Sequence, residues 1–426
     1  MIRWARERGL PVHALPGGKA RSVYALAAEL DAWMSGQGAL ADRPEPVPPP
    51  PAPPEPAAVE PGPVPAPVAR CRWPWVAGVA ALLLAGGVVG AGRWSATPAT
   101  LDGAAHARFV AARDDVALRA APRLRHAIAT LGSLARDHPG NAPVQEALAE
   151  AWLLAREFGS APDAQAFARA RAAAAAARAI DPASAVADRV DAVAAYWWDR
   201  DPARAGRLFR RAIGHAPNDP LAHLWYANIL ADNGEDAAAL REFDAARMLA
   251  PGAPWLLADY GWGLWSAGRT AEGEALLDTL AAQHPALSSV QDCLSVMALA
   301  QGDLPGYVRH LVERARLRDE RELIAYGAAL GRTLDRNDPD AVQAVMLSRA
   351  IAFAQNTDRP DHSWPAFVAA MAGDRGALLA ILGDARARGE RWGAAGFVRR
   401  IRTRFAGDTT VSRALDALAQ DRIEPA

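Results

Sequence analysis

The chain has 426 residues, 51% of them hydrophobic, which is long enough for two or three domains, and a formal net charge of −1. That near-neutral balance excludes a protein coated uniformly in nucleic acid, so any such contact has to be local. Only two cysteines are present, Cys71 and Cys293, which excludes a disulfide framework, and the alanine-rich composition suits packed helices.

Residues 1–38 form a small mixed unit. Arg3-Trp4-Ala5-Arg6-Glu7-Arg8 has helical character and stops at Gly9 and Pro11. Two short extended runs follow, Val12–Leu15 and Ser22–Leu26. Between them Pro16 to Arg21 reads as a hairpin with a basic tip. A last helix from near Ala27 places Leu30, Trp33 and Met34 at helical spacing to cover the hairpin.

The run Arg-Trp-x-Arg-Glu-x-Gly-Leu-Pro-Val-His-x-Leu-Pro-Gly-Gly-Lys, followed by Val-Tyr-Ala and Glu-Leu-Asp-Ala-Trp, resembles the winged helix-turn-helix of the MerR and excisionase type. The resemblance implies a recognition helix ending at Arg3-Trp4 and a wing made by the hairpin. It further implies DNA contacts from Arg3, Arg6, Arg8, Lys19 and Arg21, with His13 as an additional candidate, and core roles for Trp4 and Trp33. Up to Arg21 there are five basic residues against Glu7 alone, the balance that suits docking on phosphates. The family carries a helix and a turn before its recognition helix, whereas this chain begins inside the latter. The expectation is that the upstream reading frame encodes roughly 15–25 further residues with that helix and turn.

Residues 39–72 are a linker, half proline over 44–69, a composition that favours extended polyproline II and cannot bury a core. At about 3.1 Å per residue the proline-rich run could reach roughly 80 Å. Residues 73–94 then read as a transmembrane helix. Twenty residues from Trp73 to Gly92 carry no charge, and Trp73, Trp75 and Trp94 bracket them as interfacial rings. Arg70 and Arg72 before the span, against Arg93 alone after it, favour a cytoplasmic N-terminus and place the C-terminal domain in the periplasm of a bacterial inner membrane. Gly86 and Gly90 form a small-residue pair that suits a homodimeric packing of two such helices.

Residues 95–426 are helical and repetitive. Pro182, Pro217, Pro251 and Pro285 are spaced by 35, 34 and 34 residues, the mark of paired-helix repeats. Upstream of each, the same positions recur: Ala170, Ala174, Ala177; Ala205, Phe209, Ala212; Ala239, Phe243, Ala246; Gly273, Leu277, Leu280. These resemble the second-helix signature of tetratricopeptide repeats, in which small residues let helices approach and proline ends the helix. Tyr196 and Leu230 take an equivalent first-helix position, while Gly234 and Gly268 fall at turns. Pro139 stands 43 residues before Pro182, so an insertion is expected around Phe158–Phe167. After Pro285 the signature decays into degenerate and capping helices.

The fold class is therefore mainly α: a tetratricopeptide-like solenoid after a single transmembrane helix, with a small winged helix-turn-helix remnant in front. In such solenoids the first helices line the concave face. The proline register puts Trp197, Trp198, Asn228, Asp232, Trp255, Trp262 and Trp265 on or near it, a groove for a protein or peptide partner. No metal-ligand spacing, phosphate loop or nucleophile motif is present, so no catalytic residue, metal or cofactor is expected and the chain reads as a non-enzyme. Its expected function is a membrane-anchored one-component transcription regulator with a periplasmic repeat sensor. The alternative is a membrane-tethered scaffold for envelope protein assembly with a vestigial DNA-binding segment.

Overall fold

The computed structural model describes residues 100–158, 161–355 and 359–423, together with two short strands near the N-terminus. The chain divides into two units, residues 1–89 and 90–426. In the first, β1 (His13–Ala14) pairs antiparallel with β2 (Val23–Tyr24), His13 opposite Tyr24 and Ala14 opposite Val23. This is the hairpin expected from the two extended runs. Arg3, Arg6, Arg8, Lys19, Arg21, Trp4 and Trp33 lie outside the described residues, as do the linker and the span from Trp73 to Gly92. Among the described residues no helix is long and apolar enough to cross a membrane.

The second unit contains eighteen helices among its described residues. They are α1 (Gly103–Ala117), α2 (Ala121–Asp137), α3 (Ala142–Glu157), α4 (Asp163–Ile180), α5 (Ala185–Trp197) and α6 (Pro202–His215). Next come α7 (Pro220–Asn233), α8 (Asp236–Leu249), α9 (Pro254–Ser266), α10 (Thr270–Gln283), α11 (Ser288–Gln301) and α12 (Leu304–Leu317). The last six are α13 (Arg321–Leu334), α14 (Pro339–Gln355), α15 (Ser363–Met371), α16 (Arg375–Ala387), α17 (Ala395–Arg404) and α18 (Thr409–Asp416).

Local chemistry sets these boundaries. Asn141, Ser184, Asp201, Asp219 and Asp303 cap α3, α5, α6, α7 and α12, each side chain accepting from a backbone amide in the first turn. Proline occupies the first turn of α3, α6, α7, α9 and α12, where its missing N–H would have no helical partner anyway. At the other end, Pro139, Pro182, Pro217, Pro251 and Pro285 each stand two residues beyond the last residue of α2, α4, α6, α8 and α10. Gly234 and Gly268 reverse the chain after α7 and α9 with φ of +87°, a region that costs a side chain strain.

Packing follows the repeat signature. Ala170, Ala174, Ala177, Ala205, Phe209, Ala212, Ala239, Phe243, Ala246, Leu277 and Leu280 are all buried, as are Tyr196 and Leu230. The pairs α3/α4, α5/α6, α7/α8, α9/α10 and α11/α12 are antiparallel hairpins with small residues at their contacts. At Gly273 two helix backbones meet closely, since an added Cβ would lie 2.6 Å from the carbonyl oxygen of Gly261. The extra length before Pro182 is spread over a longer α3, the turn after it and a longer α4. Phe158 at the end of α3 and Phe167 within the first turns of α4 are both buried.

Beyond α12 the helices do not simply cap the stack. The segment after α16 turns back, so that α17 packs against α7, α9 and α15. The last described residue, Ile423, is fully buried beside Gly206 of α6. Trp392 and Ala419 pair as an isolated parallel bridge that holds the returning strands together.

Candidate functional site: a chamber inside the helix stack

The first helix of each repeat pair faces inward, and together these faces wall a chamber of about 650 Å³. Its residues repeat with the solenoid: Val193, Asn228, Trp262 and Val296 occupy one register, and Trp225, Asp259 and Cys293 another. Two inter-helical turns and two C-terminal helices complete it. Arg119, in the turn between α1 and α2 at φ +49°, lies with its guanidinium 4.5 Å from the Trp255 ring centroid on α9. Arg318, after α12, sits 5.3 Å over Phe158 at the end of α3. Trp364 of α15 and Phe397 of α17 also line it. The stack is thereby drawn round on itself, with residues far apart in sequence facing one cavity.

The polar groups converge on α7 and α9. Asn228 Nδ2 donates to Asp259 Oδ2 at 2.9 Å, leaving Asn228 Oδ1 buried without a hydrogen-bond donor. Burial raises the Asp259 carboxyl to about 6, against an opposing pull from Arg119 and Asn228. Burial likewise raises Asp232 to about 6. Tyr196 Oη donates to Asp232 Oδ2 at 2.8 Å, and the backbone N–H of Ala394 donates to Oδ1 at 3.0 Å. Cys293 lines the chamber and is half-buried, and burial of its Sγ pushes the thiol well up.

The seven expected groove residues separate into two sets. Trp197, Asn228, Asp232 and Trp262 line the chamber. Trp198, Trp255 and Trp265 are not part of its lining. Trp265 is 1% exposed, stacked on Trp262 at 4.8 Å and covered by the Arg400 guanidinium at 3.4 Å. Trp198 packs on Phe167 at 5.5 Å beneath Arg359, and Trp255 carries Arg119. Their indoles serve as platforms for arginines that join distant segments. Residues absent from the sequence reading are Trp225, Asp259, Arg119, Trp364 and Phe397. Asp259 could have been found, because it lies one 34-residue period after Trp225. Trp225 lies on α7 in that same register, whereas Arg119, Trp364 and Phe397 arrive through a turn and returning helices that no periodicity marks.

Paired helices, a buried small-residue signature and an inward face of first helices define a tetratricopeptide-like helical-repeat fold. No protein-family model and no curated protein matches the chain. Among solved structures it is similar to the APC/C hetero-tetramer Cut9–Hcn1, at TM-score 0.47 and 16% identity over 72% of this chain and 54% of that one. It is also similar to PilW, a widely conserved type IV pilus biogenesis factor, at TM-score 0.34 and 14% identity over 64% of this chain and 98% of that one. A third is Naa15/Naa10 bound to HypK-THB, at TM-score 0.26 and 14% identity over 74% of this chain and 50% of that one. The chain thus spans about half the length of the first and third.

Proposed function

We propose that this protein is a helical-repeat binding scaffold that holds a segment of a partner polypeptide in the chamber, on a chain tethered to the bacterial inner membrane through residues 73–94. The observation that carries this reading is the chamber itself. Indoles from α5, α7 and α9 line the chamber beside a half-buried Asn228–Asp259 pair that retains an unused acceptor. Large aromatic rings with a few convergent polar groups are what binding sites present. The test is selection of a displayed peptide library on the purified full chain, followed by Trp197→Ala and Trp262→Ala. Selected peptides should lose binding to both variants while helicity and melting stay near those of the parent. Peptides that bind both variants as tightly as the parent would overturn the reading.

A second reading is favoured by one observation, the antiparallel register of His13 and Ala14 with Tyr24 and Val23, which suits a wing. On this reading the N-terminal unit binds DNA through Arg3, Arg6, Arg8, Lys19 and Arg21, with His13 beside them, and the repeats act as a periplasmic sensor of a one-component regulator. Partner binding would then alter pairing of the membrane helices at Gly86 and Gly90 and so the grip on a two-fold site.

A further inference from the structure

We infer that the chamber receives a lysine or arginine side chain of the partner, a cationic N–H donor on an apolar stem, seated between the Asn228–Asp259 pair and the indoles of Trp197 and Trp262 that line the chamber. This deepens the scaffold reading and rests on it.

Charge and hydrogen bonding point the same way. Four acidic residues and three arginines line the chamber, and the arginines are already engaged. Arg156 donates to Asp163 at 3.2 Å, Arg318 donates to Ser288 Oγ at 3.1 Å, and Arg119 lies on Trp255 facing Asp259 and Glu157. Glu157 and Asp292 pair with Arg156 and Arg318 in turn. Asn228 spends its amide N–H on Asp259, the orientation a carboxylate requires, so its buried Oδ1 is left without a donor. Among the described buried side-chain atoms that lack a partner, it alone belongs to a chamber residue. A buried acceptor without a donor costs free energy until one arrives.

The aromatic walls repeat a device seen elsewhere in the molecule. Arginines cover the indoles of Trp198, Trp225, Trp255 and Trp265 at 3.4–4.9 Å from the ring centroids. Among the described residues no arginine sits over Trp197 or Trp262, and both of these line the chamber. An incoming cation would gain the same ring attraction, strengthened by exclusion of water. Its stem would lie along Val193, Ile229 and Val296.

The test uses the full chain in detergent and four capped probes: N-acetyl-arginine, N-acetyl-lysine, N-acetyl-norleucine and N-acetyl-glutamine methylamides, titrated by calorimetry. Arginine or lysine should bind, and norleucine and glutamine should bind roughly thirtyfold more weakly or worse, the loss expected when a buried charged pair is unmade. Asp259→Asn should abolish that preference with helicity unchanged. Equal binding of norleucine, or no binding of either basic probe up to about 10 mM, overturns the inference, because a matched side chain of this size should bind better than that. The two proposals fail separately. Library peptides that need Trp262 but tolerate norleucine at every basic position leave the scaffold intact and remove the cation.

Discussion

Burial holds the carboxyls of Asp259 and Asp232 up at about 6, above the ordinary aspartate value of 3.8. A carboxyl raised in the folded state binds its proton more tightly there than when unfolded. Its stabilising share is therefore complete below about pH 4 and declines as pH rises toward about 6, beyond which the full penalty of a buried charge remains. For Asp259, faced by Arg119, Asn228 and Glu157, about two units of displacement correspond to roughly 3 kcal/mol. Asp259→Asn keeps an oxygen to accept from Asn228 and removes the charge. The variant should melt higher than the parent at pH 7.5 and alike at pH 4, by calorimetry at both. A lower melting temperature at pH 7.5 would show that Arg119 stabilises the ionised form more than burial disfavours it. A residue whose ionised form costs stability yet faces a chamber is what a binding site retains for its ligand.

Among the elements, the returning C-terminal segment does most to distinguish this solenoid from a plain stack. Its anchors are specific: Ile423 N–H donates to Asn233 Oδ1 at 2.8 Å, Asn233 Nδ2 donates to the Asp421 carbonyl at 3.0 Å, and Gln420 donates to Tyr196 Oη. Arg399 donates to the Ser266 carbonyl at 2.9 Å and pairs with Asp236, fixing α17 across α7 to α10. Ile423 fills the space above Gly206. Ile423→Ala should cost about 2–4 kcal/mol by loss of buried surface and the cavity left behind. Amide exchange should quicken in α6 and α7 while α12 to α14 stay unchanged. If melting and exchange both match the parent, the tail is an ornament and the chamber does not depend on it.

At the scale of the whole molecule, the N-terminal arginine bias yields a topological expectation that both functional readings share. A reporter enzyme active only in the periplasm should be active when fused after Ala426 and inactive when fused after Gly38. The reverse pattern would remove the regulator reading, since DNA lies on the cytoplasmic side. Beyond that, the period of the prolines, the alanine and phenylalanine positions of the second helices, the turn glycines and the N-terminal hairpin were all legible in the residues, because each depends on neighbours within one or two helices. Periodicity also placed Trp197, Asn228, Asp232 and Trp262 on the inner face. It could not tell them from Trp198, Trp255 and Trp265, since the arginines that cover those three indoles, Arg359, Arg119 and Arg400, come from distant segments. The partners that make the chamber lie far away in the chain: Ala394 meets Asp232 from 162 residues on, and Gln420 meets Tyr196 from 224. Local sequence determined the repeats and the face each helix presents; only tertiary structure decided that the stack closes, because its closing contacts join side chains that share no sequence period.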